Sequence, residues 1–217
     1  MQTEFDPSPW VFDRTAWPEA DAVAAGGDLE PATVIAAYRA GAFPMFHDEE
    51  LLWWSPMRRG VLEPNQFRAS RSLRRSAGRL QCTVDRDFEA VIDACADPDR
   101  TGAWINKETR DAYVHLHELG WAHSVETRDP DGQLVGGLYG LQVGQLFAGE
   151  SMFHHRTDAS KVALMTLIGI QGGGLIDVQW ATPHLKSLGV TEISRDEYFI
   201  RIDALVNAPP PSWPPSG

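Results

Sequence analysis

Three polar side chains sit in the most apolar parts of this sequence, and they are the ones equipped to do chemistry. Asp177 and Gln179 interrupt the run Leu175, Ile176, Val178, Trp180, Ala181, and Glu150 interrupts LFAGESMF. Side chains two apart on a strand point to the same face. The spacing therefore sets the Asp177 carboxylate beside the Gln179 amide on one face of a buried strand. Such groups either satisfy a local hydrogen-bond network or face a cavity that holds a substrate. A lone buried acid caps a helix or pairs with an arginine; two acids and an amide on adjacent core strands describe a polar cleft. A covalent nucleophile is not indicated. There is no G-x-S-x-G elbow, and neither Cys82 nor Cys95 carries a catalytic or CxxC signature.

Other candidates carry less. His115 and His117 are i, i+2 on an expected helix, so they do not share a face, and His123 falls on the next strand, so no metal site is expected. The glycines of QGGG at 171–174 follow a helix and precede a strand, the reverse of a phosphate-cradling loop, and read as a helix terminator. In LFAGESMFHHRTDASKVAL a strand leads into a helix starting near Asp158 or Ser160, where an anion fits. That loop lacks the glycines that wrap a pyrophosphate, which argues against a nucleotide-type cofactor. Net charge is −11, against broad nucleic-acid binding. Between 58 and 79, however, seven arginines (58, 59, 68, 71, 74, 75, 79) stand against one acid, Glu63, a local +6 in a chain otherwise at −17. That block is a solvated helix face or a confined anion-binding patch.

These groups need a frame, and the composition allows one: 43% hydrophobic and 23% charged residues are ordinary globular values. No window approaches ~18 consecutive apolar residues, so no membrane span is expected. The acidic, polar start MQTEFDPSPWVFDR is unlike a signal peptide. With two cysteines read as reduced thiols, the expected location is the cytoplasm.

The first sixty-odd residues show one clear helix, with Pro31 at its first turn and Gly41 past its end. The next stretch, FPMFHDEELLWWSP, has too many prolines and aromatics for a regular element. From about Asn65, strands and helices alternate. SRSLRRSAG reads as a short basic helix and QCTVD as a strand. Phe88, Val91, Ile92 and Cys95 have helical spacing. Asn106 caps a third helix ended by Gly120. AHSVETR, QLVGGLYGL and QLFAGESMF form consecutive hairpins. DASKVALMTLIGI is a helix, and Ser194 with Glu197 fits a capping box for a last one through Leu205. This is an α+β pattern over a mixed, antiparallel-rich sheet. The expected divisions are 1–64, a small N-terminal domain; 65–206, the main domain; and 207–217, a Pro-rich tail read as extended or disordered.

The blocks GGDLEPATVIAAYRAGAFP, LLWWSPMRRGVL, SRSLRR, WINKETRDAYVHLHELGWAHSVE, LVGGLYGLQVGQLFAGESMF, DASKVAL and LIDVQWATPHLKSLGVTEISRDEY resemble, in order, the bacterial leucyl/phenylalanyl-tRNA–protein transferases. The resemblance runs from about Ala24 to Tyr198. It implies that the main domain is similar to the acyl-CoA N-acetyltransferases, adapted to aminoacyl-tRNA. The implied reaction moves Leu or Phe, with Met as a further donor, from tRNA to the α-amine of proteins beginning with Arg or Lys, marking them for degradation. No cofactor or metal is implied.

The resemblance also implies site roles. Gln179 contacts the attacking amine through its carbonyl oxygen, Asp177 accepts from the Gln179 amide and polarises it, and Glu150 binds the acceptor's positive N-terminal end. Leu138, Phe147, Met152 and Leu167 occupy the pocket positions for a side chain unbranched at Cβ; on pattern alone they are ordinary core. Trp104 matches an aromatic beside the terminal adenosine, where stacking is worth ~1–3 kcal/mol. Met45 stands where many members have the second such ring, a Trp. Arg68, Arg71, Arg74 and Arg75 are placed to hold acceptor-stem phosphates, contacts that carry little sequence information. Two other readings remain: an acyl-CoA-dependent N-acetyltransferase, disfavoured by the glycine-poor loop, and a non-catalytic recognition module for basic N-termini.

Overall fold

The structure, a computed structural model, describes residues 2–100 and 104–214. In chain order the elements are β1 (Ala22–Ala25), α1 (Pro31–Ala40), β2 (Phe43–His47), β3 (Glu50–Trp54), β4 (Arg58–Leu62), α2 (Arg71–Ala77), β5 (Gln81–Val84), α3 (Phe88–Cys95), α4 (Lys107–Glu118), β6 (Ala122–Arg128), β7 (Leu134–Val143), β8 (Leu146–His154), α5 (Ala159–Gln171), β9 (Leu175–Gln179), α6 (Pro183–Ser187), β10 (Thr191–Ser194) and α7 (Arg195–Leu205). Local chemistry sets most of the ends. Pro31 opens α1 and left-handed Gly41 closes it. Ser70, Asn106 and Ser194 cap α2, α4 and α7 through their side chains. Asp158 precedes α5 without a side-chain cap; its carboxylate instead takes Lys161 (2.9 Å) and Ser76 (3.0 Å).

Two sheets result. The small one has the order β1-β3-β2 and the large one β10-β4-β9-β8-β7-β6-β5. Every pairing in them is antiparallel except β8–β9. That pair is parallel because α5 carries the chain across between them. The fold is thus α+β with a mixed, antiparallel-rich sheet. One face of the large sheet packs α5 through Leu138, Phe147, Leu164 and Leu167. The other joins α1, α3 and α4 and the small sheet in one continuous core containing Ile35, Trp53, Phe88, Tyr113 and Tyr139.

One expectation needs correcting. FPMFHDEELLWWSP is a β-hairpin, β2–β3, turning at Asp48 and Glu49 in the left-handed region (φ 47° and 67°). Its proline is tolerated because β2 is an edge strand. The changeover between sheets falls at 55–57, because β4 pairs into the large sheet beside β9. In the tail the Trp213 indole stacks on His123, centroids 4.1 Å apart, and packs against Phe147 at 5.7 Å. The tail's prolines prevent a regular element, but a large aromatic ring still gains by leaving water. Residues 215–217 lie outside the described residues.

Candidate active site

Two irregularities in the large sheet create the site. The parallel pairing of β8 with β9 runs from Leu146–Leu175 to Ala148–Asp177 and stops there, although β8 continues to His154. Beyond that point the strands part. At the same level β7 pairs Tyr139 with Ser151 and Gly140 with Gly149, so Glu150 is the extra residue of a bulge. A Cβ on Gly140 would collide with the Ala148 carbonyl, so the bulge depends on glycine there. On β9, Gln179 lies opposite Gly60 and Asp177 opposite Val61, which leaves Val178 as the extra residue of a second bulge. Bulges re-aim side chains, and both of these flank the gap.

The second bulge corrects the expectation that Asp177 and Gln179 share a face. Gln179 has a left-handed backbone, φ 56°, which breaks the alternation. Ile176, Val178 and Gln179 all border the gap, whereas Asp177 points to the opposite side and is fully buried. Arg59 meets it there with two contacts, Nε to Oδ1 at 2.8 Å and Nη2 to Oδ2 at 2.5 Å. Tyr198 donates to Oδ2 at 2.8 Å and the Gln179 backbone N–H to Oδ1 at 2.9 Å. The guanidinium, itself fully buried, lies between the rings of Phe43 and Tyr198. Asp177 thus binds the backbone of Gln179 and not its side-chain amide, so the expected polarisation of that amide by Asp177 is not the arrangement found.

The Gln179 amide instead approaches Glu150, Nε2 to Oε1 at 3.4 Å. Tyr38 donates to the same Oε1 at 2.6 Å, and the Tyr113 hydroxyl lies 2.5 Å from that of Tyr38. Burial pushes the Glu150 carboxyl up to about 8, with the Asp177 charge adding to it and the Tyr38 and Tyr113 hydroxyls and Arg59 opposing. Burial likewise holds Tyr38 and Tyr113 well above the usual phenol range.

Glu150 and Gln179, with Gly149 and Ser151 beside them, border a cavity of about 140 Å³ whose remaining walls are apolar: Leu138, Phe147, Met152, Leu164, Leu167, Ile176, Val178 and Leu185. The four residues expected to form a side-chain pocket are therefore brought together. An apolar cavity of roughly 150 Å³ can accommodate benzene, so this one suits an isobutyl or benzyl group. Larger hollows of about 420–430 Å³ elsewhere are surface grooves that do not meet this polar set.

Trp104, ahead of α4, and Met45, on β2, are both half-buried and do not border the cavity; Trp104 packs on the main core and the Met45 carbonyl accepts from Trp54. Arg68, Arg71, Arg74 and Arg75 are exposed on and just before α2, which packs against α5, and none forms an ion pair among the described residues. His115 pairs with Glu118, while His117 and His123 both approach Asp85. Among the described residues, no cluster of three or more His, Cys, Asp or Glu is placed to hold a metal. Sequence reasoning missed Arg59, Tyr38, Tyr113 and Tyr198. The only available signal was the rule that a buried acid seeks an arginine, which did not say which of the seven it would be.

Residues 61–203 match the family model for leucyl/phenylalanyl-tRNA protein transferase, and residues 27–57 match that for its N-terminal domain. The leucyl/phenylalanyl-tRNA–protein transferase of Azoarcus sp. (strain BH72) is 46% identical over 221 residues, covering 94% of each chain. Its counterpart in Pseudomonas putida KT2440 is 52% identical over 184 residues, 81% of each. Among solved structures, L-PGS from Bacillus licheniformis superposes with a TM-score of 0.40 at 10% identity, covering 69% of this chain and 64% of that one, a likeness too loose to bear on function. The two family models and the high identity over nearly full length agree, and the chain belongs to the leucyl/phenylalanyl-tRNA–protein transferase family.

Proposed function

We propose that this protein transfers leucine or phenylalanine, with methionine as a third donor, from aminoacyl-tRNA to the α-amine of proteins that begin with Arg or Lys. The new N-terminal residue marks the acceptor for degradation in the cytoplasm. The observation that carries this reading is a cavity sized for one apolar side chain and bordered by Glu150 and Gln179. The donor's side chain enters the cavity, which leaves its ester carbonyl near the two polar groups. Val and Ile, branched at Cβ, clash at the entrance. The ester is already activated, and a free α-amine has a pKa of ~7.7–8.0, so part of it is neutral near pH 7.5. Holding amine and carbonyl in attack geometry then supplies several kcal/mol.

In this reading Gln179 orients the amine, and Asp177 is a positioning residue that sets the Gln179 backbone through its N–H. Trp104 and Met45 lie along the path of the terminal adenosine, and Arg68, Arg71, Arg74 and Arg75 hold acceptor-stem phosphates. The parting of β8 and β9 supports an N-acetyltransferase-like use of the sheet, with an aminoacyl ester in place of a thioester. Transfer of labelled leucine from charged tRNA to a peptide beginning with Arg, beside one beginning with Ala, tests the reading; transfer to the first alone is expected. Acetyl transfer from coenzyme A would favour the N-acetyltransferase alternative. Binding of the Arg peptide with no transfer would leave a recognition module.

A further inference from the structure

The reaction leaves one proton to be assigned, because the amine nitrogen must lose one as the amide forms. Of the three polar groups, an amide such as Gln179 is not a base. Asp177 is fully buried, and its two oxygens already accept from Arg59, Tyr198 and the Gln179 N–H. Glu150 differs. Its Oε1 takes both Tyr38 and Gln179, while Oε2 takes no hydrogen bond from a described residue, and the side chain borders the cavity.

We propose, resting on the transfer reaction above, that Glu150 takes the proton from the attacking α-amine and hands it to the departing ribose oxygen, with Tyr38 and Tyr113 as positioning residues that hold its carboxylate. The amine nitrogen bonds to the ester carbon while the carbonyl π pair moves onto oxygen. The proton on that nitrogen passes to Oε2. The oxygen pair returns, the bond from carbon to the ribose oxygen breaks, and the Glu150 proton follows that pair to make the ribose hydroxyl. An ester and an amine become an amide and a hydroxyl, and Glu150 ends as a carboxylate.

The groups facing Glu150 suit this role. Tyr38 from α1 and Tyr113 from α4 favour its ionised form, as does Arg59 from β4, while Asp177 from β9 opposes it. Tyr139 from β7 is fully buried, its hydroxyl without a partner among the described residues, and it feels the same carboxylate. The three phenols, all held well above the usual range, remain protonated throughout the working pH, and Tyr38 serves as donor to the carboxylate while Tyr113 bonds to Tyr38. The carboxyl, pushed up to about 8, matches an α-amine of ~7.7–8.0, and a base with a pKa near the operating pH is the effective one.

The test is transfer to an Arg peptide at saturating donor and acceptor from pH 6 to 9.5, comparing wild type with Glu150→Gln and Tyr38→Phe, each checked for folding by circular dichroism. Glu150→Gln is expected to lower kcat by on the order of 10²–10⁴-fold, with the smaller change in KM for the peptide. Tyr38→Phe is expected to move the acid limb of the kcat profile to higher pH, because the lost hydrogen bond favoured the carboxylate; the common acceptor amine affects every curve equally. A Glu150→Gln enzyme that loses only KM, or a Tyr38→Phe enzyme slowed equally at every pH, overturns the proposal while leaving the transferase reading intact. A folded wild-type protein that transfers nothing overturns the transferase reading itself and this proposal with it.

Discussion

Arg59 and Asp177 form a bidentate pair sealed from solvent, with side chains 1% and 0% exposed. Removing one member of a buried pair leaves an uncompensated charge and costs about 3–5 kcal/mol. Asp177→Ala should therefore shift the urea midpoint strongly and lose activity along with folded order, whereas Gln179→Ala should lower turnover with its midpoint near wild type. An Asp177→Ala protein as stable as wild type would remove the positioning role.

In the proposed reading the cavity wall sets donor size. Met152 is half-buried on β8, and an unbranched thioether adapts to differently shaped neighbours. Met152→Phe should narrow the space and reduce phenylalanyl transfer more than leucyl transfer. A mismatch of one methylene between substrate and apolar pocket is worth about 1–3 kcal/mol, roughly 10- to 200-fold in the kcat/KM ratio, and a shift of at least that order is expected here. An unchanged ratio would place the donor side chain elsewhere.

Glu150 should also impress its titration on stability. Its folded carboxyl stands at about 8, above an unfolded value of ~4.3. Between these limits the unfolded chain releases the proton first, so this group makes folding less favourable as pH rises from about 4.5 to about 8. Glu150→Gln lacks that term. The stability advantage of the variant over wild type should be small near pH 4 and grow up to pH 8, as read from urea denaturation across the range. A gap that does not change with pH would mean the carboxyl titrates normally.

The exposed arginines of α2 should act on tRNA through charge alone. Each phosphate contact contributes about −0.7 to −0.9 to the slope of log K against log salt. Replacing Arg74 and Arg75 with Ala should flatten the slope by roughly 1–2 without changing the preference between leucyl and phenylalanyl donors. Fluorescence titrations at several salt concentrations measure this, and a salt-independent affinity in wild type would reject the patch.

Much of the frame was legible in the residues themselves. Pro31 and Gly41, Ser70, Asn106 and Ser194 mark helix ends because caps and left-handed glycines act within a turn of where they stand. The strands from β5 to β9 were legible as apolar stretches bounded by turns, and the matching family blocks singled out four residues that line one cavity. The β2–β3 hairpin was missed because tolerance of Pro44 depends on β2 being an edge strand, a property of the assembled sheet.

What tertiary structure alone decided is where each polar group points. Strand periodicity set Asp177 and Gln179 on one face, but a bulge against β4 and a left-handed residue separated them. Arg59 reaches Asp177 across 118 residues, and Tyr38 reaches Glu150 across 112. A bulge exists only in the pairing of two strands, and a buried ion pair only where distant segments close around it. The residue types that could do chemistry were therefore set by the sequence, while their division into a scaffold acid and a cavity-facing acid was settled by packing.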